Sequence, residues 1–165
     1  MSGLAAHLTI APIILPLAVA ALVMMIDRRE LRVALSLATG VALVLIAAIL
    51  LISVSAPDAG ARAYELGDWP APFGIVLVLD KLSAMMVALA SVLALAALVF
   101  SLARWDRAGP RFHALFLLLL AGLNGAFLTG DLFNLFVFFE VLLAASYGLV
   151  LHGSGAPRVK AGLHY

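Results

Sequence analysis

Hydrophobic residues in this chain occur in long uninterrupted runs, without the strict alternation of an amphipathic strand or the polar face of a surface helix. Five runs are each about 20 residues long, which is the length of helix that crosses a bilayer core of about 30 Å. They cover residues 8–26, 33–54, 82–102, 112–130 and 132–151. A single apolar segment satisfies its backbone hydrogen bonds in hydrocarbon only as a helix. The pattern therefore predicts an all-α, polytopic bundle of five membrane spans.

Composition supports the same class of protein. Of the 165 residues, 65% are hydrophobic and 12% are charged, and the mean hydropathy is +1.19. A soluble domain has about 45–50% apolar and about 25% charged residues, so this chain has too few charges to cover a surface in water. The formal net charge of +1 gives no basic excess for a nucleic-acid partner. We expect one membrane domain over residues 1–165, with the lipid bilayer as its solvent.

Several kinds of chemistry are excluded or unsupported by the residues present. The chain contains no cysteine, which excludes disulfides, zinc–thiolate sites, iron–sulfur clusters and thiol catalysis for this chain. The HExxH, GxSxG, GxxxxGK[ST] and GxGxxG patterns are also missing. We therefore expect no cofactor, no metal site and no enzyme activity.

The first run has an alternative interpretation as a signal peptide. A cleaved signal carries its positive charges before the apolar stretch. Here residues 1–7 contain no lysine or arginine, and the charges follow the run at residues 27–30. We therefore favour a membrane span, in which Pro12 and Pro16 are expected to kink the helix.

The distribution of basic residues predicts the orientation of the bundle. Eight of the ten lie in the segments that join spans one to two and three to four, or follow span five: Arg28, Arg29, Arg32, Arg104, Arg107, Arg111, Arg158 and Lys160. Only Arg62 and Lys81 lie on the opposite side. We expect the N-terminus outside and the tail after Leu151 in the cytoplasm. Tyr64 and Trp69, in the long outer connection, are expected to anchor at the interface.

Glu140 is the main candidate for chemistry. It is the only charged residue in the fifth run and lies about 12 Å along the helix from Leu132, near the bilayer midplane. An acid at that depth costs at least about 2.5–3.5 kcal/mol and commonly faces a cavity or an ion path. Desolvation favours the neutral acid, so proton exchange near neutral pH is expected. The alternative is a neutral carboxyl that only donates a hydrogen bond between helices.

Other polar residues near the spans are candidates for a shared polar pathway. Phe133, Phe136, Glu140, Ala144 and Tyr147 fall on one helical stripe, for which ordinary helix packing is the alternative. Asn124 lies inside the fourth run, where an interhelical hydrogen bond is the favoured interpretation.

Three charged residues border the spans on the outer side. Asp80 and Lys81 open the third span, where capping or snorkelling is favoured over a place in the pathway. Asp131 opens the fifth span and is expected to cap its helix.

Two long motifs resemble a known family. They are residues 130–143, GDLFNLFVFFEVLL, and residues 66–83, LGDWPAPFGIVLVLDKLS. Both resemble the D subunit of Mrp-type cation/proton antiporters, which is related to the antiporter-like proton-pumping subunits of respiratory complex I. The resemblance implies a multisubunit assembly in the cell membrane (the inner membrane of a Gram-negative host). It also implies exchange of protons for sodium or another monovalent cation.

The resemblance assigns Glu140 to the glutamate of the family's fifth span, which pairs with a lysine of the seventh span. Family members are much longer, with about fourteen spans, so the chain is expected to be a fragment, a truncated product or half of a split subunit. Expressed alone, it is expected not to transport ions. The alternatives are a proton-translocating subunit of an NADH-quinone oxidoreductase or related complex, and a non-catalytic membrane scaffold.

Overall fold

The computed structural model describes residues 7–56, 60–68, 74–109, 111–153 and 155–163. Trp69 lies outside these ranges, so the anchor expected there stays a prediction. Five long helices follow the five apolar runs within a few residues at each end. They are α1 (Ala11–Met24), α2 (Arg29–Ser55), α3 (Lys81–Ser101), α4 (Phe112–Leu128) and α5 (Leu132–Val150), and a short helix α6 (Ala156–Gly162) follows them.

The prediction of an all-α fold was wrong in one segment. Strands β1 (Arg62–Glu65) and β2 (Val76–Leu79) pair antiparallel between α2 and α3. The β2 sequence Val-Leu-Val-Leu contains β-branched residues, and Leu77 and Leu79 are buried while their neighbours are half-buried. This alternation suits a strand. From the sequence, residues 74–79 were interpreted only as an apolar approach to the third span.

The helices differ in their ability to cross a bilayer. Among the described residues, α2, α3 and α5 are long and apolar enough to span a membrane. Helices α1 and α4 are apolar but have 14 and 17 residues. At 1.5 Å per residue they are about 21 and 26 Å long. The protein is therefore a mostly helical membrane protein, and the count of five spans stays a prediction.

The connections lie at two opposite ends of the bundle. At one end, called the basic end, Arg29 of α2 pairs with Asp106 of the α3–α4 connection at 2.6 Å. At the other, called the hairpin end, the Gly130 N–H donates to the Val76 carbonyl of β2 at 2.8 Å. One apolar cluster packs the hairpin end, from Ile13, Val54, Leu77, Leu79 and Leu128, among others. Three of the eight basic residues expected to share one side, Arg104, Arg107 and Arg158, lie together at the basic end, and the side of the membrane that this end faces stays a prediction.

Candidate functional site

Helix α5 packs closely against α4 because α4 has glycine at two contact positions. A Cβ atom at Gly122 would lie 2.9 Å from the Leu142 backbone nitrogen and 3.1 Å from the Phe138 carbonyl oxygen. A Cβ atom at Gly125 would overlap the Phe138 ring. Small residues allow helix backbones to approach in a membrane. This contact directs Phe138 and Leu142 toward α4.

Glu140 lies halfway between those two residues and therefore points away from α4. Two positions along an α-helix correspond to a rotation of about 200°. Glu140 is exposed, and so is the whole stripe predicted around it. The exposed fractions are 80% for Phe133, 62% for Phe136 and 39% for Tyr147. Packing against the other described helices therefore does not account for this stripe.

Glu140 makes no hydrogen bond and no ion pair with any residue in the described ranges. It lies about 12 Å from Leu132 and about 15 Å from Val150 along the axis of α5. The carboxyl group is thus near the middle of an apolar helix, on a face that the described part of the chain leaves uncovered. A group with these surroundings can bind and release a proton, or pair with a cation brought by another segment.

Asn124 faces α1 and is fully buried. Its side-chain amide donates to the backbone carbonyl of Pro12 at 3.0 Å. In an α-helix that carbonyl would accept from residue 16, but Pro16 has no N–H. Asn124 therefore satisfies a carbonyl that Pro16 leaves without its helical donor. The expected interhelical hydrogen bond is confirmed, while a place for Asn124 in a polar pathway stays a prediction.

Asp80 and Lys81 lie at the hairpin end, at the start of α3. The Asp80 carboxylate accepts from the Ser83 N–H at 2.7 Å, and the Ser83 hydroxyl accepts from the Asp80 N–H at 2.9 Å. This reciprocal pair is a capping box. The Ser83 backbone N–H, followed by its hydroxyl, stabilises the carboxylate and lowers the pKa of Asp80. Capping by Asp80 is confirmed, Lys81 is exposed beside it, and a pathway role for either stays a prediction.

Asp131 caps α5 as the sequence predicted. Its carboxylate accepts from the Asn134 N–H at 2.7 Å. The short Gly130–Asp131 connection makes α4 and α5 packed neighbours, which was also expected. This cap begins α5 at Leu132, and that starting point places Glu140 near the middle of the helix.

A buried polar cluster at the basic end was not predicted from the sequence. The Asp106 side chain is 0% exposed and accepts from Arg29 through Nε at 2.7 Å and through Nη2 at 2.6 Å. The His113 Nε2 atom lies 3.8 Å from the same carboxylate oxygen. Buried charges in proteins are normally paired. The sequence did contain a signal, because Asp106 is the only acid in the α3–α4 connection. That connection was used only to predict orientation from its arginines.

Comparison with known proteins gives clear relatives. The D subunit of a probable K(+)/H(+) antiporter of Rhizobium meliloti (strain 1021) is 60% identical over 164 residues, which are 96% of this chain and 30% of that protein. The D subunit of the Na(+)/H(+) antiporter of Alkalihalophilus pseudofirmus is 41% identical, over 96% of this chain and 32% of its own length. The N subunit of an NADH-quinone oxidoreductase of Desulforudis audaxviator is 38% identical, over 97% of this chain and 33% of its own length. No family model matches the chain.

The fold has a solved counterpart as well. A chain in the structure of the Mrp complex from Dietzia sp. DQ12-45-1b superimposes with a TM-score of 0.83 and is 36% identical. The match covers 92% of this chain and 28% of that one. The chain spans about a third of the length of the relatives it matches. It is a membrane protein, and over that third it is a homologue of the D subunit of the Mrp-type cation/proton antiporters.

Proposed function

We propose that this chain is part of a membrane subunit that exchanges a monovalent cation for protons, and that Glu140 is its intramembrane proton-handling carboxylate. The observation that carries the proposal is the surroundings of Glu140. A carboxyl group in the middle of an apolar helix is energetically costly, and such groups usually pair with another polar group or line an ion path. Among the described residues it has no partner, and its face of α5 is open.

The open stripe around Glu140 is the surface where we expect its partner. A cationic side chain from another segment or subunit would stabilise the ionised carboxylate, whereas an apolar surrounding favours the protonated form. Movement of such a cation toward or away from Glu140 would change the proton affinity of the carboxyl. The same proposal includes the partners of this chain, which are the other subunits of an antiporter complex, and its substrates, which are protons and a monovalent cation.

The experiment is substitution of Glu140 in a complete subunit assembled in its complex. Glu140→Gln keeps the shape and hydrogen-bonding capacity of the side chain but cannot release a proton. We expect it to abolish cation-dependent proton flux in inverted vesicles while the subunits still co-purify, and we expect Glu140→Asp to keep partial flux. Sodium is the proposed cation, and potassium is tested beside it because the name of the Rhizobium meliloti relative includes K(+).

Glu65→Gln is the matched control, because Glu65 is an exposed acid of β1 at the hairpin end. Its flux should equal that of the wild type. Wild-type flux in Glu140→Gln would make Glu140 a structural residue and refute the proposed role.

A second candidate function is supported by the relative from NADH-quinone oxidoreductase. In that case the chain would belong to a proton-translocating complex driven by quinone reduction. The same vesicles distinguish the two functions. Proton flux that follows an imposed cation gradient supports antiport, whereas flux that requires an electron donor and quinone supports the second candidate.

A further inference from the structure

An apolar groove runs along the outside of the α3–α4 pair. Its α3 wall extends from Met86 to Ala97, and its α4 wall extends from Phe116 to Phe127. The groove has a volume of about 370 Å³, and its lining is apolar. Eleven residues of helix correspond to a length of about 16 Å. The groove thus has the elongated, apolar shape that a hydrocarbon chain fills.

The groove leads to the basic end through two further hollows. The first, of about 340 Å³, shares Ala97 and Phe116 with the groove and extends to Trp105 and Arg158. The second, of about 490 Å³, shares Trp105 and Arg158 with the first, and Arg104 and Arg107 also line it. Because neighbouring hollows share lining residues, the three lie next to one another. We call them together the track, and its lining changes from apolar in the groove to basic in the second hollow.

Three arginines give the polar end of the track its charge. Arg158 is held in place because it donates to the His152 carbonyl at 2.6 Å and its guanidinium carbon lies 4.7 Å from the centre of the Trp105 ring. Arg104 and Arg107 are exposed and make no ion pair within the described ranges. Asp106 lies between them in sequence, but its carboxylate is buried against Arg29. The positive charge of the second hollow is therefore not neutralised by Asp106.

We propose that this track binds an anionic phospholipid, with its phosphate against Arg104, Arg107 and Arg158 and one acyl chain in the α3–α4 groove. The distance from Ser101 at the end of α3 to Ala90 is about 16 Å, which is close to half of a 30 Å bilayer core. A chain that enters beside Trp105 and ends near Ala90 therefore matches one leaflet. Basic pockets between helices at a membrane surface are suited to anionic headgroups.

Two other occupants fit the track less well. A free phosphate would use the arginine pocket and leave the apolar groove unused. A helix of a partner protein would cover the groove but has no need of the arginines at its end. Trp105 is 44% exposed at the junction of the two regions, and tryptophan is enriched at the level of lipid headgroups.

The test uses Trp105 as a reporter of the lipid beside it. The chain has two tryptophans, so Trp69→Phe leaves Trp105 alone. This variant is placed in two sets of vesicles made of ordinary phosphatidylcholine. One set also contains brominated phosphatidylglycerol, and the other contains brominated phosphatidylcholine. Bromine atoms on the acyl chains quench the fluorescence of a nearby tryptophan. Because each arginine near the headgroup strengthens binding of an anionic lipid by about fivefold and the track has three, half-maximal quenching should need a lower fraction of the brominated phosphatidylglycerol than of the brominated phosphatidylcholine, by well over fivefold.

Matched variants separate the headgroup from the acyl chain. Arg107→Gln should reduce the preference for phosphatidylglycerol several-fold, and Arg107→Lys should keep most of it. Arg28→Gln, which removes a charge from the same end of the bundle at a residue that does not line the track, should leave it unchanged. Ala97→Phe fills the groove and should reduce quenching by both lipids, whereas Ala96→Phe, on an exposed neighbouring position outside the groove, should not. Circular dichroism checks that each variant keeps its helices.

Three outcomes would overturn the proposal. Equal quenching by the two brominated lipids in the Trp69→Phe chain would show that the arginines select no anionic lipid. Loss of the preference on addition of millimolar inorganic phosphate, with no effect of Ala97→Phe, would leave an anion pocket only. Absence of quenching by either lipid would show that no acyl chain lies beside Trp105.

Discussion

Asn124 compensates for a gap in the backbone hydrogen bonding of α1. Its amide donates to the Pro12 carbonyl because Pro16 has no N–H to offer. We predict that Asn124→Ala lowers the free energy of unfolding by about 1–3 kcal/mol, because a buried carbonyl loses its donor. In a Pro16→Ala chain, residue 16 has an N–H that can donate to the Pro12 carbonyl. Asn124→Ala should therefore lower the free energy of unfolding less in that chain than in the wild type. Unfolding in detergent micelles by titration with sodium dodecyl sulfate measures all four chains of this cycle.

Ser91→Ala is a suitable control for that cycle. The Ser91 hydroxyl is buried and donates within its own helix to the Val87 carbonyl at 2.7 Å. Its contribution should be the same with and without Pro16, since distant and independent sites add. If Asn124→Ala costs as much in the Pro16→Ala chain as in the wild type, the asparagine does not compensate for the proline.

Features of single residues could be predicted where their cause is local in sequence. An aspartate directly before an apolar run predicts a helix cap, and Asp131 is one. The depth of Glu140 followed from its distance to that cap. The partners of Asn124 and Asp106 could not be predicted in this way, because they lie 112 and 77 positions away. No local pattern encodes which distant side chain or carbonyl meets a polar group.

The α4–α5 contact depends on the absence of a side chain at Gly122. We predict that Gly122→Ala separates the two helices and destabilises the bundle by about 1–3 kcal/mol, because its Cβ would meet backbone atoms of α5 that have no rotamer to change. The same unfolding titration measures the loss. Gly60→Ala is the control, since a Cβ there has nothing within 4 Å. Equal stability of the Gly122→Ala and Gly60→Ala chains would contradict the close contact.

Among the secondary-structure elements, the five long apolar runs correctly predicted helices, whereas the short apolar segment before α3 did not predict the strand that forms there. Each of the five runs became a helix because hydrocarbon gives the backbone no other partner. The segment before α3 became strand β2, since it pairs with β1 and its Leu77 also bridges to Thr129 at the end of α4. These partners are remote in sequence, so a pattern of four apolar residues could not distinguish a strand from the beginning of a helix.

For the whole molecule, we predict that the basic end faces the cytoplasm. The chain has no cysteine, so Ala156→Cys and Glu65→Cys each introduce a single thiol. In intact cells a membrane-impermeant maleimide should label Glu65→Cys at the hairpin end and should label Ala156→Cys only after permeabilisation. Labelling of Ala156→Cys in intact cells, with Glu65→Cys protected, would mean the opposite orientation.

The grouping of the connections into two ends could be predicted, because successive antiparallel spans must alternate. The pairing of Arg29 with Asp106 and the contact of β2 with Gly130 follow that alternation. The uncovered face of α5 could not be predicted. Helix α5 is apolar nearly all around, so its composition does not distinguish the side that packs on α4 from the side that carries Glu140.

The Arg29–Asp106 pair also has a consequence for the time course of synthesis. A ribosome that adds about 5–20 residues per second needs about 4–15 s to make the 77 residues that separate the two partners. During that interval Arg29 cannot form its ion pair, because Asp106 has not yet been made. The bond from Asn124 to Pro12 closes later still, after 112 positions. Helix α1, which packs mainly against α4, therefore gains most of its contacts only after α4 has been made, whereas α2 can already pack against α3.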